Sequence, residues 1–546
     1  MALLPLALLA LGFFWPLWDV LRQGLQEDGR WAVGRLGTLL ADPYIRHLLL
    51  FTLNQAFLSA LLSLALGFPL GWMLTRYRFP GRGLVRAFTL VPFVLPPITV
   101  ALGFILFFGR SGYLNRLLMD VCGLSEPPIQ LLHSLWAVVL AHAFYNAPVF
   151  ARFVNAAWEG LNPDLEDAAR TLGARPWWAF LSVTLPQLSG AVLSAFALVF
   201  VLCFLSFPIP LALGGARYAT VEVGVYLLAR VYVDVPRAAA LALVELAISL
   251  GLGWLYIRSG GVFAVPARAG RPQPARRFLQ RPRQILWLPY LAVAALLFLG
   301  PLGAVVADSF LRPLQGSSPT LGWYAMLVSP ANQPALGTSP LASILVSLAV
   351  AAAAAALALA LGLLASWTLR RGRKVLLEAL LMAPLSVSSV VLGLALLLAF
   401  SRPPLSALRE GIWAIVLAHV LIVYPFVIRV VRPLWSALDP AQVEAARTLG
   451  AGRWRAFLTV ELPLLSRGVL VAGAFAFALS MGEMTAVAML ARPGTVTLPL
   501  AIYHALSARQ FGAASAMATL LIVVTGGAVW AWERGGGRML GSYGRT

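Results

Sequence analysis

The segment LNPDLEDAARTLGARPWWAFLSVTLP at 161–186 returns in altered form as LDPAQVEAARTLGAGRWRAFLTVELP at 438–463. The two copies are identical at 16 of 26 positions and share the unbroken heptapeptide AARTLGA. That heptapeptide begins at residue 168 and again at residue 445, an offset of 277 residues (445 − 168). A match kept over so long a distance indicates duplication of a large structural unit rather than a local motif.

The same offset holds outside this segment. WAVVLAH at 136–142 returns as WAIVLAH at 413–419, and Tyr226 returns as Tyr503. We therefore predict that the chain is a tandem repeat of two related units.

Composition indicates a membrane protein. The 546 residues are 60% hydrophobic and only 11% charged, whereas soluble domains carry about a quarter charged residues. Several apolar runs exceed the length of about 18 residues that marks a membrane-spanning helix. The predicted spans are 3–20, 49–74, 87–108, 133–152, 188–213, 236–257, 285–307, 341–369, 375–400, 411–430, 468–491 and 511–532. The fold class is therefore predicted as all-α and polytopic, with about twelve transmembrane helices.

Six spans fall in each repeat, so both repeats should have the same orientation and be related by an axis along the membrane normal. The predicted division has a first transmembrane unit, a basic linker, a second unit and a basic tail. These are 1–257 (core about 49–257, repeated segment within 158–186), 258–284, 285–533 (core about 341–532, repeated segment within 436–463) and 534–546. The first apolar stretch, 1–18, lacks a basic start and a small-residue cleavage site, so we expect a retained anchor.

The net charge of +20 is carried by arginine clusters between spans. With twelve spans and a cytoplasmic N-terminus, every cluster falls on the cytoplasmic side, together with the C-terminus. This is the positive-inside pattern, which accounts for the charge better than a nucleic-acid partner does. The clusters lie at 76–86, 258–283, 370–374 and 534–545.

Motifs for metal binding or ATP hydrolysis are missing from the sequence. Cys122 and Cys203 are the only cysteines, one in an outer loop and one in a span, so neither a disulfide nor a metal site is suggested. The only lysine, Lys374, is followed by Val375, so the chain cannot carry a Gly-Lys-Ser/Thr phosphate loop. Transport energy would have to come from another polypeptide.

Each repeated segment predicts a short capped helix on the cytoplasmic side. Asn162 and Asp439 are suited to the N-cap, and Gly173 and Gly450 to a C-terminal turn with positive φ. A second helical piece follows, which the Leu-Pro pairs at 185–186 and 462–463 are expected to end. The exposed polar pattern favours docking to a partner over packing on the ends of the spans. The four aromatic residues of these segments are nevertheless expected to pack on the span ends: Trp177, Phe180, Trp454 and Phe457.

Ionisable residues inside spans mark candidate pathway positions. Glu483 is the best of these, and Ser206 is its repeat equivalent; a structural hydrogen bond is the alternative role for Glu483. His142 and His419 occupy equivalent sites, and interhelical hydrogen bonding is favoured over metal binding because no third ligand is visible. Glu245 has no acidic equivalent and is assigned a structural role. Pro92, Pro96, Pro97 and Pro384 are expected to kink the third spans.

The repeated segments resemble the EAA loop of ATP-binding-cassette (ABC) importer permeases, E-A-A-x-x-x-G followed about a dozen residues later by L-P. The second copy matches throughout, and the first has aspartate in place of glutamate, with Glu166 beside it. The matching residues are Glu444, Ala445, Ala446, Gly450, Leu462 and Pro463, and Asp167, Ala168, Ala169, Gly173, Leu185 and Pro186.

The resemblance implies type I importer transmembrane units in a prokaryotic inner membrane. It implies two copies of a cytoplasmic ABC ATPase, which would bind ATP and Mg²⁺ and receive the EAA helices in a cleft. It also implies an extracytoplasmic solute-binding protein, and no cofactor on this chain.

The fused two-unit layout is similar to permeases of thiamine and ferric-iron importers. Stretches 55–63, 202–215 and 219–229 favour thiamine, while 479–490 and 497–518 fit either. A secondary transporter would also have twelve helices, but it would not need a duplicated docking helix. A membrane-embedded enzyme would need clustered catalytic groups, and the spans contain no such cluster in the sequence.

Overall fold

The computed structural model describes residues 3–79, 82–83, 85, 95–263, 276–277, 285, 287–312, 318–331, 333–334, 336–369, 375–403, 406–407 and 411–540. Within these ranges, eleven helices are long and apolar enough to cross a membrane. The count is twelve if Val375–Ser386 and Ser389–Ala399, which meet at 95°, form one broken span. The prediction of an all-α polytopic protein is confirmed.

The first unit contains eight main helices. They are α1 (Leu4–Leu25), α2 (Pro43–Arg76), α3 (Pro97–Phe108), α4 (Leu135–Glu159), α5 (Pro163–Thr171), α6 (Pro176–Phe204), α7 (Val221–Tyr226) and α8 (Val235–Phe263). Shorter helices cover Gly34–Ala41, Tyr113–Cys122 and Pro208–Leu213.

The second unit repeats this order. Its helices are α9 (Leu288–Asp308), α10 (Pro340–Leu369), α11 (Ser389–Ala399), α12 (Trp413–Ser436), α13 (Pro440–Thr448), α14 (Arg453–Gly482), α15 (Leu498–Ser507) and α16 (Phe511–Leu540). Shorter helices cover Gly322–Leu327, Val375–Met382 and Thr485–Leu490. The described chain has three pairs of two-residue strands: Gln26–Glu27 with Arg30–Trp31, Tyr77–Arg78 with Arg276–Arg277, and Leu311–Arg312 with Ser318–Pro319.

The fifth span of each unit is broken, so the predicted continuous spans 188–213 and 468–491 are wrong. Helix α6 ends at Phe204 and α14 at Gly482, and each is followed by a separate short helix. Pro208 lacks the N–H needed to continue α6, and Glu483 has an extended backbone with ψ of 119°. The residues before and after each break are equally apolar, so hydropathy alone does not reveal the break.

The Leu-Pro pairs do not end a helix, contrary to the prediction. Pro176–Phe204 and Arg453–Gly482 each run through their proline as one helix. A π-turn precedes each pair, at Phe180–Thr184 and Phe457–Glu461. The π-turn shifts the hydrogen bonding by one residue, so the proline falls in a first turn where its missing N–H is harmless.

Close helix contacts at small residues hold each unit together. Helix α2 packs along α4, and α10 packs along α12 in the equivalent way. A Cβ added to Gly67 of α2 would lie 2.3 Å from the carbonyl oxygen of Ala147, so only glycine permits this approach. Such contacts are the usual basis of helix association in membranes, where lipid already solvates apolar side chains.

The two units exchange their first helices. Helix α1 packs on α8 of its own unit and on α11 of the second unit, while α9 packs on α16 of its own unit and on α3 of the first. A Cβ added to Gly103 of α3 would lie 2.7 Å from the carbonyl oxygen of Pro301 in α9. The exchange makes the two units interdependent.

The remaining predictions on proline and domain limits have mixed outcomes. Pro97 opens α3, and Pro384 lies in the 3₁₀ turn at the 95° break, so both lie at helix ends or bends. Pro92 lies outside the described residues, as do most of the linker at 258–284 and the end of the tail at 541–546. The domain limits stay a prediction.

Candidate coupling surface and translocation cavity

The repeated segments form two matching capped helices, α5 and α13. The Asp164 N–H donates to Asn162 Oδ1 at 3.0 Å, and the Ala441 N–H donates to Asp439 Oδ1 at 2.9 Å. At the other end, Gly173 and Gly450 have φ of +91° and +84°. Side-chain caps at the start and a left-handed glycine at the end define both helices, as the sequence predicts.

The predicted docking residues lie on the outside of both helices. Asp167, Ala168, Glu444 and Ala445 are exposed, and Ala169 and Ala446 are half-buried. Beyond each helix, Leu172 and Leu449 are both 89% exposed. Large apolar side chains left almost fully exposed at equivalent positions are typical of interaction sites.

The aromatic residues of these segments divide into two groups. Phe180 stacks on Trp158 with ring centroids 6.1 Å apart, and Phe457 stacks on Trp435 at 5.9 Å, so both pack on the span ends as expected. Trp177 and Trp454 contact these two phenylalanines, with ring centroids 5.9 Å and 5.7 Å apart, but remain 66% and 55% exposed.

In the first unit a carboxylate, Glu166, ties the docking helix to the rest of the unit. Glu166 accepts hydrogen bonds from Arg76 at 2.9 Å, from Arg170 at 2.6 Å and from Thr184 at 3.1 Å. In the second unit the equivalents of Glu166 and Thr184 are Val443 and Glu461 (each 277 residues later), and Glu461 is buried.

Glu166 therefore faces inward, and Asp167 is the exposed acid that corresponds to Glu444. The sequence alone leaves the two neighbouring acids of the first copy unresolved. Arg170, whose partner is Glu166, is engaged within its own helix rather than held ready for a partner protein.

A cavity of 490 Å³ lies between the two units. Polar and aromatic side chains from both units form its walls, together with one carboxylate, Glu483, from the second. The lining includes Pro96, His142, Tyr145, Asn146, Ser206, Phe207, Ser389, Phe426, Phe475 and Glu483. Broken helices at membrane depth are tolerated where they border such cavities, and the breaks after Phe204 and Gly482 do so here.

Glu483 and Ser206, predicted as repeat equivalents in the pathway, both line this cavity. Glu483 Oε1 accepts the backbone N–H groups of Thr485 at 2.7 Å and Ala486 at 3.0 Å. The carboxylate is therefore oriented by the short helix that follows the break.

The two histidines bond to serines. His142 lies between Ser59, 3.2 Å from Nδ1, and Ser206, 2.8 Å from Nε2. His419 Nδ1 lies 2.7 Å from Ser480 Oγ. His142 lines the cavity, whereas His419 is buried away from the residues that form it. These contacts match the interhelical hydrogen-bonding role.

Glu245 has no acidic residue at its repeat position, which is Ile522, but the structure gives it an acidic neighbour from another helix. Its carboxyl group faces that of Glu222 in α7, and both are fully buried. Glu222 escaped the sequence analysis because it lies between predicted spans and has a proline, Pro499, at its repeat position. No motif or spacing in the sequence places residues 222 and 245 together.

These features define a membrane-embedded transport subunit. Two related units border a partly polar cavity, and each unit carries an exposed capped helix directly after its fourth span. Such a subunit has a route for a solute and two equivalent surfaces through which other proteins can act on it.

The chain belongs to the family described as binding-protein-dependent transport system inner membrane component, which matches residues 67–258 and 358–530. It is a permease subunit of the ABC importer class, with the family unit present twice.

Relatives match over nearly the whole chain. The thiamine transport system permease protein ThiP of Escherichia coli K12 is 31% identical over 498 residues, covering 88% of this chain and 88% of that protein. The protein of the same name from Salmonella typhimurium LT2 is 30% identical over 509 residues, covering 90% of each. The sulfate transport system permease protein CysT of Escherichia coli K12 is 32% identical over 214 residues, covering 39% of this chain and 75% of that protein.

Among solved structures, a bacterial alginate ABC transporter chain aligns with a TM-score of 0.38 at 18% identity, over 47% of this chain and 91% of that one.

Proposed function

We propose that this permease carries thiamine into the cytoplasm, receiving it from an extracytoplasmic binding protein. The observation that carries the proposal is the near full-length similarity to permeases named for thiamine transport, at 30–31% identity over 88–90% of both chains. Ferric iron is the alternative raised by the sequence.

The chemistry of the cavity supports an organic cation. Thiamine is an aromatic cation, and the cavity borders one carboxylate, Glu483, together with Phe207, Phe426 and Phe475. Aromatic faces attract cations, and a carboxylate offsets a positive charge that has left water. A hydrated ferric ion would instead favour several oxygen or nitrogen ligands. No group of three or more His, Cys, Asp or Glu side chains placed to hold a metal occurs among the described residues.

Two copies of a cytoplasmic ATPase are proposed to supply the energy, with ATP and Mg²⁺ bound to them. Helices α5 and α13 would each enter a cleft of one copy, with Leu172 or Leu449 covered on docking. Closure of the ATPase pair on ATP would bring the helices together and rotate the units as rigid bodies. The Glu166–Arg76 ion pair would pass this movement from α5 to the end of α2.

The same proposal assigns α5, α13 and both termini to the cytoplasm of a prokaryotic cell. Support comes from the basic strand pair Tyr77–Arg78 with Arg276–Arg277, which lies at the same end of α2 as the contact between Arg76 and α5. Basic segments are enriched on the cytoplasmic side.

Transport should be tested in proteoliposomes that contain the permease, its ATPase and its binding protein. We expect labelled thiamine to accumulate only when ATP and the binding protein are both present, and excess ferric iron not to compete. Uptake of ferric iron and not of thiamine would show that ferric iron is the substrate. Uptake driven by an ion gradient without the ATPase would indicate a secondary transporter.

Docking should be tested with the double variant Asp167→Arg/Glu444→Arg. Reversing both exposed charges should reduce copurification of the ATPase at least about tenfold, because loss of a charge-assisted contact in each interface exceeds about 1.4 kcal/mol. The control is Asp120→Arg/Glu126→Arg, the same charge change on exposed acids outside both segments. Equal ATPase retention by the two double variants would remove Asp167 and Glu444 from the interface.

A further inference from the structure

An acid pair is buried where the two units meet. Glu222 in α7 and Glu245 in α8 are 0% and 1% exposed, and their carboxyl groups interact directly. Both helices pack on α11 of the second unit. Ser388, which precedes α11, lies next to both carboxyls, and its neighbour Ser389 borders the cavity.

The four carboxyl oxygens of this pair lack a hydrogen-bond donor. None of them forms a hydrogen bond to any donor that the structure describes. Ser388 already accepts the Val391 N–H at 3.1 Å, and its hydroxyl completes a well-formed bond to neither glutamate. Glu483 is the other charged group that faces Glu222, and it adds a further negative charge. Among the described residues, no arginine or histidine side chain therefore neutralises the pair through a hydrogen bond.

Two buried carboxylates in contact repel each other strongly, and each also loses its hydration. One proton between them removes the repulsion and leaves one buried charge instead of two, because the carboxylic acid donates to the neighbouring carboxylate. The unfilled acceptors and their mutual contact thus point to the same missing group, a hydrogen between the two side chains.

We propose that Glu222 and Glu245 hold one proton between them, forming a proton-binding site at the contact between the two units. In this state the pair carries a single negative charge beside Ser388. The site lies behind the cavity wall, so a movement of α11 that admitted water would release the proton to solvent. The inference does not depend on which solute is carried.

Infrared spectroscopy of the permease assembled with its ATPase tests the proposal directly, because it separates the carbonyl stretch of a protonated carboxyl from that of a carboxylate. At neutral pH we expect the double variant Glu222→Gln/Glu245→Gln to lose the signal of one protonated carboxyl per chain. Glu126→Gln, an exposed acid, should lose none. An unchanged protonated-carboxyl signal in the double variant would overturn the proposal.

The single variants test sharing. A glutamine amide supplies the missing N–H to the remaining carboxylate, so Glu222→Gln and Glu245→Gln should each lose the whole signal. If one single variant keeps it, the proton belongs to one glutamate alone and the shared site is wrong. Glutamine matches the shape of glutamate, and copurification of the ATPase verifies assembly. If the double variant does not assemble, the single variants decide the matter.

Discussion

Glu483 shows how one side chain can combine a structural and a transport role. It ends α14, borders the cavity, and accepts two backbone N–H groups from the short helix that follows. Those donors stabilise its negative charge without a basic partner. The alternatives raised by the sequence, a structural bond and a pathway acid, are thus both compatible with its position, and only a change of charge separates them.

Substitution Glu483→Gln should lower thiamine transport about tenfold while leaving assembly intact. Glutamine keeps a carbonyl oxygen for the two backbone donors, so the local structure should be preserved. It removes the negative charge that would attract the cationic solute. A charged acceptor is worth about 1.4 kcal/mol more than a neutral one, which corresponds to a factor of about ten. The measurement is ATP-dependent uptake in proteoliposomes, with ATPase copurification as the check on assembly. Glu126→Gln, an exposed acid that is not part of the cavity lining, is the matched control. Wild-type uptake by Glu483→Gln would place that acid outside the pathway.

At the scale of elements, the docking helices depend on their C-terminal glycines. Gly450 has φ of +84°, and nothing lies within 4 Å of the point where its Cβ would be. A substitution there meets no neighbour, so its effect comes from the backbone alone. Asparagine adopts left-handed geometry readily, whereas a β-branched residue does not.

We therefore expect Gly450→Val to weaken ATPase retention and Gly450→Asn to leave it near wild type. The strain of about 1–2 kcal/mol for valine would favour unwinding of the last turn of α13 and displacement of Leu449, lowering retention by about fivefold to thirtyfold. Copurification of the ATPase at a series of salt concentrations measures the difference. Equal loss in both variants would mean that a side chain at 450 obstructs the partner directly and that backbone geometry is not the cause.

The elements that could be predicted from sequence are those with local signals. Apolar length predicted the spans, and the caps of α5 and α13 followed from Asn162, Gly173 and their equivalents. The breaks after Phe204 and Gly482 could not be predicted, because both sides are equally apolar. Helix α6 continues through Pro186 because a π-turn precedes it, and no amino-acid pattern in the sequence predicts that π-turn. The contact of Glu222 with Glu245 arises only when α7 and α8 pack together.

At the scale of the whole molecule, the exchange of α1 and α9 accounts for what the repeat alone does not. A duplicated sequence predicts two similar units, but it does not say whether they pack side by side or interlock. Each first helix packs on the third helix of the opposite unit, so the interface between units includes two whole helices besides the cavity walls. The units should therefore remain together without a covalent link.

We predict that the chain can be divided between residues 270 and 271, between the two repeats, and that the halves assemble when they are produced together. A tag on residues 1–270 should retain residues 271–546 from detergent extracts, because α1 and α9 each remain packed on the opposite half. The control removes residues 1–33 from the first half, which deletes α1 while keeping α2 to α8. Loss of a whole helix from the interface should lower recovery of the second half at least about tenfold, since even 1.4 kcal/mol has that effect. Equal recovery with and without α1 would mean that the exchanged helix contributes little and that the cavity walls alone hold the units together.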